Sequence, residues 1–160
     1  MAKLLVKDIL STESGLIVHQ VNCQKVAGAG IALAIRQKYP NWYNHYLTID
    51  PILGKVDLFE AEDNIWIVSF YAQNRYGRTE RHTDYDAFDR CLETLAGIIS
   101  AGYCPNPTYF SEGIGCKLAG GDWNIVLPKI ITAIPDAFIV RPIKFPYENF
   151  RPITNKYINL

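Results

Sequence analysis

Two segments built on one grammar constrain this chain more than any other feature. "VNCQKVAGAGIALAI", from Val21, and "YFSEGIGCKLAGGDWNIV", from Tyr109, each pass from a strand-like apolar stretch through a glycine loop into a helix-like stretch. In α/β sheets, ligands gather where strands end and loops lead into helix N-termini. Unhindered backbone N–H groups beside the positive end of a helix suit a pyrophosphate. One such loop reads as a tight strand-to-helix turn; two with the same grammar point to a ligand.

The rest of the chain extends that pattern. "KLLV" (Lys3–Val6) and "GLIVHQV" (Gly15–Val21) are short apolar runs bounded by turn residues and predict strands, with "KDILSTES" as a loop between them. From Gly30 the period changes: Ile31, Ala34, Ile35 and Lys38 recur at helical spacing until Pro40 stops them, and "NWYNHYLTID" predicts a second short helix capped by Asn41. "GKVDLFEAEDNIWIVSFYAQ" alternates as a hairpin. The polar "NRYGRTERHT" predicts an exposed loop. "DYDAFDRCLETLAGIISAG" predicts a helix with Asp84 near its start, Phe88, Cys91, Leu92, Leu95 and Ile99 on one face and Gly102 at its end. "PTYF" is a further strand, "WNIVLPKIITAI" a helix kinked or restarted by Pro128, and "AFIVRPI" a last strand. Alternating strands and helices predict an α/β sandwich with a substantially parallel sheet. The segment 142–160, rich in Pro, Tyr, Phe and Asn, predicts an irregular tail packed on a single domain.

Composition limits the partners. With 160 residues, sixteen basic and sixteen acidic, the chain has no overall charge that argues for a nucleic-acid duplex or an anionic membrane. Lys3, Lys7 and Asp8 interrupt any secretory apolar region, and no apolar run spans a bilayer, so a cytoplasmic protein is expected. Cys23, Cys91, Cys104 and Cys116 are scattered without a CxxC pair, which favours free thiols, and no four-ligand metal set is legible. Standard nucleotide motifs fit badly. Neither loop has the Gly-Lys-Ser/Thr of a P-loop, and "GAGIAL" lacks the third glycine and the distant acid of the dinucleotide fingerprint.

"KDIL" after the first strand, then "HQVNCQKVAGAGIALAIRQKYP", then "GIGCKLAGGDW" resemble the macro domain, an ADP-ribose-binding superfamily, over about residues 3–140. The first pattern is most similar to the ADP-ribose 1″-phosphate phosphatase branch, and the last also resembles the ADP-ribosyl-hydrolase branch. The resemblance implies a three-layer α/β/α sandwich around a mixed, substantially parallel sheet. It implies binding of ADP-ribose and hydrolysis of ADP-ribose 1″-phosphate to ADP-ribose and phosphate, without metal or cofactor. The alternatives are removal of ADP-ribose from modified protein or nucleic acid, and a non-catalytic ADP-ribose reader. Nucleic acid enters only as such a modified substrate.

Residue roles follow from the same resemblance. Asp8 would receive the adenine amino group and the Ile9 N–H would meet the purine, although Lys7 replaces the family's usual glycine; without the resemblance Asp8 reads as a solvated loop acid. Asn22 would contact the distal ribose, with Gln24 as a further candidate or a surface side chain. Gly28, Ala29, Gly30 and Ile31 would lie along the diphosphate, with Gly113, Ile114, Gly115 and Cys116 opposite and Lys117 neutralising phosphate charge. Phe145 or Tyr147 would stack on adenine. Asp122 corresponds to a catalytic acid and is also suited to cap the helix that follows. His19 matches the histidine of the phosphatase branch and would serve as acid or base, or else lie buried at the end of a central strand. The lysine nucleophile of the hydrolase branch has no counterpart in "SFYAQNRYG". There, Arg75, Arg78, Arg81 and His82 would gather around a terminal phosphate or simply solvate their loop.

Overall fold

The computed structural model describes residues 2–143 of the chain. Six strands, β1 (Lys3–Val6), β2 (Gly15–Asn22), β3 (Val56–Glu62), β4 (Ile65–Gln73), β5 (Thr108–Ser111) and β6 (Phe138–Arg141), form one sheet in the order β1-β6-β5-β2-β4-β3. Every pairing is parallel except β3–β4, the hairpin expected from the alternation of Val56, Leu58, Ile65 and Ile67. The mixed, mostly parallel sheet of the three-layer reading is therefore present. Its four helices are α1 (Gly30–Lys38), α2 (Pro40–Thr48), α3 (Tyr85–Ser100) and α4 (Trp123–Ala133).

The sheet is central because both of its faces are apolar. Along β2, Leu16 and Val18 join Phe70, Phe88, Phe110, Leu127 and Ile130 in a core under α3 and α4. Ile17 and Val21 point the other way, into a second core with Ile35, Trp42, Tyr46 and Tyr71 under α1 and α2. Period-two alternation thus sorts neighbouring residues of one strand into two cores. That arrangement brings the carboxyl ends of β2, β5, β6 and β1 to one edge of the sandwich.

Three local expectations are adjusted. The second short helix begins at Pro40, and Tyr39, not Asn41, is its cap residue. Proline is well suited to the first helical position, where its missing N–H is not needed. Pro128 lies inside a single element that runs from Trp123 to Ala133, so the helix does not restart. "KDILSTES" includes a short 3-10 turn, Ile9–Ser11, in which the Asp8 carboxylate accepts from the Leu10 N–H. All four cysteines are free thiols, as their scatter suggested.

Candidate functional site

The first glycine loop is organised by Asn22. Its amide donates to the Val26 carbonyl (2.8 Å), and its side-chain oxygen accepts from the backbone N–H of Gln24 (3.0 Å) and Val26 (3.2 Å). The Tyr46 hydroxyl donates to the Asn22 carbonyl at 2.9 Å, so the buried α2 core fixes the loop from below. The chain then enters α1 through Ala29, which offers no side-chain acceptor to the first turn. The leading N–H groups of α1 therefore have no side-chain cap, the opposite of α3 and α4, which Asp84 and Asp122 cap.

The second loop folds back on itself. Gly113 and Gly115 have φ of 83° and 73°, the left-handed region that glycine enters without penalty. Cys116 N–H donates to Gly113, and Gly121 N–H donates to Gly115, closing the loop before α4. Thr83 ties the loop to its neighbours: its hydroxyl donates to the Gly115 carbonyl (2.6 Å) and accepts from the Gln20 amide (2.9 Å). Gln20 also donates to Gln73 (2.8 Å), so the ends of β2 and β4 and the second loop share one polar network.

Two adjoining cavities lie between the loops. One, of about 340 Å³, is walled by Asn22, Gly28, Ala29, Gly113, Ile114 and Gly115, and continues past Gln73, Tyr76, Gly77 and Arg78. The other, of about 480 Å³, is walled by Lys7, Asp8, Ile9, Leu10, Ala34 and Val140. Gly30, Ile31, Ser111 and Lys117 belong to both and form the seam. The result is a long slot with Asp8 and Ile9 at one end, glycines at its waist and the 76–78 turn at the other.

Most of the residues singled out in the sequence meet in this slot, and several do not. Gln24 is exposed and reaches Asn74 instead, with its amide 3.2 Å from the Asn74 carbonyl. The Cys116 thiol turns into the core beneath the loop, where burial and the nearby Asp122 push its pKa up to about 12. Asp122 is an exposed cap whose carboxylate accepts from Asn124 N–H at 2.9 Å, and it does not line either cavity. Phe145 and Tyr147 lie outside the described residues.

His19 differs most from a freely titrating acid or base. Its ring is fully buried, edge-on to Trp42 with centroids 5.0 Å apart, and its Nε2 pairs with the Ser69 hydroxyl at 2.8 Å. Burial pushes its pKa down to about 3. His19 is therefore neutral in the folded protein at any pH where the unfolded chain titrates, near 6.5. The unfolded state then binds the extra proton, and stability falls as pH drops from about 6.5 toward 3, by up to about 1.4 kcal/mol per pH unit. Urea unfolding at pH 7 and pH 5 is expected to show a loss of about 2 kcal/mol from this group. His19→Asn should lose correspondingly less between the same two pH values. Equal losses in the two proteins would mean that His19 titrates normally.

The buried acid that opens the second loop carries no signature in the sequence. Glu112 is 0% exposed and accepts from the Arg141 guanidinium at 3.2 and 3.3 Å. Burial raises its pKa while Arg141 and Lys117 oppose the rise; burial lowers that of Lys117, with Glu112 and Cys116 opposing. A buried carboxylate held by arginine at the strand end anchors the loop that carries Lys117 into the seam. No local sign marked the pair, because Glu112, just past the end of β5, and Arg141, the last residue of β6, meet only through the β5–β6 register.

No family model matches the chain, and no curated protein matches it in sequence. Solved structures match it in fold. The macrodomain of Mycobacterium tuberculosis DarG superposes with a TM-score of 0.76 at 22% identity, covering 88% of this chain and 97% of that one. Thermosipho africanus DarTG, solved in complex with ADP-ribose, gives a TM-score of 0.73 at 19% identity over 94% of this chain and 43% of that one. The Trypanosoma brucei macrodomain, also in complex with ADP-ribose, gives 0.68 at 14% identity, covering 89% and 64%. The order of strands, the two glycine loops at one sheet edge and these superpositions agree: this chain has the macrodomain fold.

Proposed function

We propose that the slot binds ADP-ribose and that the protein hydrolyses ADP-ribose 1″-phosphate to ADP-ribose and phosphate. The observation that carries the binding reading is the continuity of the two cavities through a seam of Gly30, Ile31, Ser111 and Lys117. An extended ligand with a charged middle fits that shape. The adenine would lie by Asp8 and Ile9, the diphosphate would take the uncapped N–H groups of α1 and the glycines of the second loop, and the distal ribose would reach Asn22. The two ADP-ribose complexes of this fold support the same assignment.

For the hydrolytic step, Asp122 is the carboxylate closest in sequence to the Leu118–Ala119 wall of the distal cavity. The Asn124 N–H engages one of its oxygens and holds the group oriented. The other would accept a proton from water as it attacks phosphorus and the bond from phosphorus to the 1″ oxygen breaks; the proton would pass to that departing oxygen, releasing ADP-ribose and phosphate. His19, neutral and enclosed, would shape the floor of the site and take no part in proton transfer. The exposed position of Asp122, outside both cavity walls, favours a second reading in which the protein holds ADP-ribose without turnover. Removal of ADP-ribose from modified protein or nucleic acid is the third.

One preparation separates them. Calorimetry should show one ADP-ribose bound per chain, and wild-type protein should release phosphate from ADP-ribose 1″-phosphate. Asp122→Ala should lower phosphate release by at least about 100-fold, within the range for a lost acid–base group, while ADP-ribose affinity persists. Unchanged turnover in that variant would remove Asp122 from the reaction. Binding without turnover of any conjugate would establish the reader.

A further inference from the structure

The polar segment between β4 and α3 reads in sequence as a solvated loop, yet it is fastened at both ends to the site. Gln73 donates from its side chain to the Arg75 carbonyl (2.7 Å), and Cys23 N–H donates to the Asn74 carbonyl (3.0 Å). At the far end, the N–H groups of His82 and Thr83 both donate to the Ala119 carbonyl of the second glycine loop, at 2.7 and 3.2 Å. Gly77, with φ of 146°, allows the turn between these anchors, and a Cβ there would meet the His82 ring at 3.1 Å.

This fastening sorts the loop's arginines. Arg81 lies over the Tyr85 ring, with its guanidinium carbon 4.5 Å from the centroid, and Arg75 lines neither cavity. Arg78 lines the first cavity beside Tyr76, at the end away from Asp8 and Ile9. Among the described residues no acid pairs with it. Lys117, the other cation on that cavity wall, sits back at the seam, where the diphosphate charge would lie.

We infer that the 76–78 turn is a recognition subsite for an anionic group carried on C1″ of the distal ribose, with Arg78 as its cation and Tyr76 as its rim. The inference rests on the ADP-ribose reading and specifies what that reading leaves open: which residue tells the phosphorylated substrate from its product. A guanidinium donates two parallel hydrogen bonds to a phosphate, which a neutral hydroxyl at C1″ cannot match. Arg78 is exposed, so the preference it confers should be moderate and should weaken with salt.

The test is competition against fluorescent ADP-ribose, read by rapid mixing before turnover, with ADP-ribose and ADP-ribose 1″-phosphate as the competitors. Wild-type protein should prefer the phosphorylated ligand by about tenfold, a modest figure for one charge-assisted contact. Arg78→Gln should bring that ratio close to one while ADP-ribose affinity changes less than about twofold, the size of a surface substitution that touches nothing else. Arg78→Lys should retain part of the preference, which a merely structural arginine would not require. Raising salt should erode the wild-type ratio and leave that of Arg78→Gln unmoved. If wild-type protein binds ADP-ribose but shows no preference, or if Arg78→Gln loses both ligands equally, the subsite is overturned and the ADP-ribose reading stands. If wild-type protein binds neither ligand, both are overturned.

Discussion

Replacing Gly121 by alanine is expected to abolish ligand binding by the slot while leaving most of the fold in place. A Cβ at position 121 would stand 2.5 Å from the Gly115 carbonyl oxygen and 3.3 Å from its carbon, and both are backbone atoms that no rotamer change can move. The same Gly115 oxygen accepts the Gly121 N–H that closes the second loop at 2.9 Å, and the Thr83 hydroxyl at 2.6 Å. The loop must open to admit one methyl group, which moves Gly113, Gly115 and Lys117 away from the first loop. Strain and overpacking of this kind cost about 1–3 kcal/mol of stability. Affinity should fall further, by about 100-fold or more, because the donors proposed for the diphosphate would lose their geometry together. Gly97→Ala on α3 is the control: no atom lies within 4 Å of its Cβ, and the helix gains about 0.5–1 kcal/mol from the better propensity. Thermal unfolding of the two variants should therefore move in opposite directions, and calorimetry should show lost affinity in Gly121→Ala alone. Unaltered affinity in Gly121→Ala would show that the second loop does not hold the ligand.

Phe70→Ala is expected to give the largest loss of stability. Phe70 is fully buried on β4 and packs edge-on against Phe88 of α3, at 5.4 Å between centroids, and Phe110 of β5, at 6.1 Å. It joins two strands and a helix at the centre of the larger core, so no single shift can refill its space. Truncations of this type cost about 3–5 kcal/mol. That is a large fraction of the stability of an ordinary domain, about 5–15 kcal/mol. For a chain of this size the melting temperature should fall by about 6–20 °C. Phe70 lies beneath the slot without lining it, so protein that remains folded should bind with wild-type affinity. A melting temperature within about 2 °C of wild type would mean that this core is not packed as described.

These contrasts show where the sequence was informative. Both glycine loops were legible because their signals are local: apolar strand, glycines, helix, all within about twenty residues. The hairpin was legible from alternation, and the helix at Asp84 from its cap and apolar face. The resemblance added Asp8, which nothing local distinguishes from a solvated acid, and the structure sets it at one end of the slot. What escaped was long-range. The Glu112–Arg141 pair, the Gln20–Gln73–Thr83 network and the fastening of the 74–82 loop to Ala119 all join residues far apart in the chain that only the folded sheet and its loops bring together. "NRYGRTERHT" is the exposed loop that its polarity predicts, and only its hydrogen bonds to Ala119 make it a wall as well. The inward turn of the Cys116 thiol escaped for a related reason: sequence locates the loop but not the side to which each residue turns.

The measurement that bears most directly on the central claim is the change in backbone amide resonances as ADP-ribose is added to the full chain. The account predicts saturable shifts, at one ligand per chain, in both glycine loops: Gly28 to Ile31 and Gly113 to Lys117. Smaller shifts are expected at Asp8 and Ile9, with α3 and the β3–β4 turn unmoved. Shifts confined to one loop, or located away from the seam of Gly30, Ile31, Ser111 and Lys117, or no saturation at millimolar ligand, would contradict it.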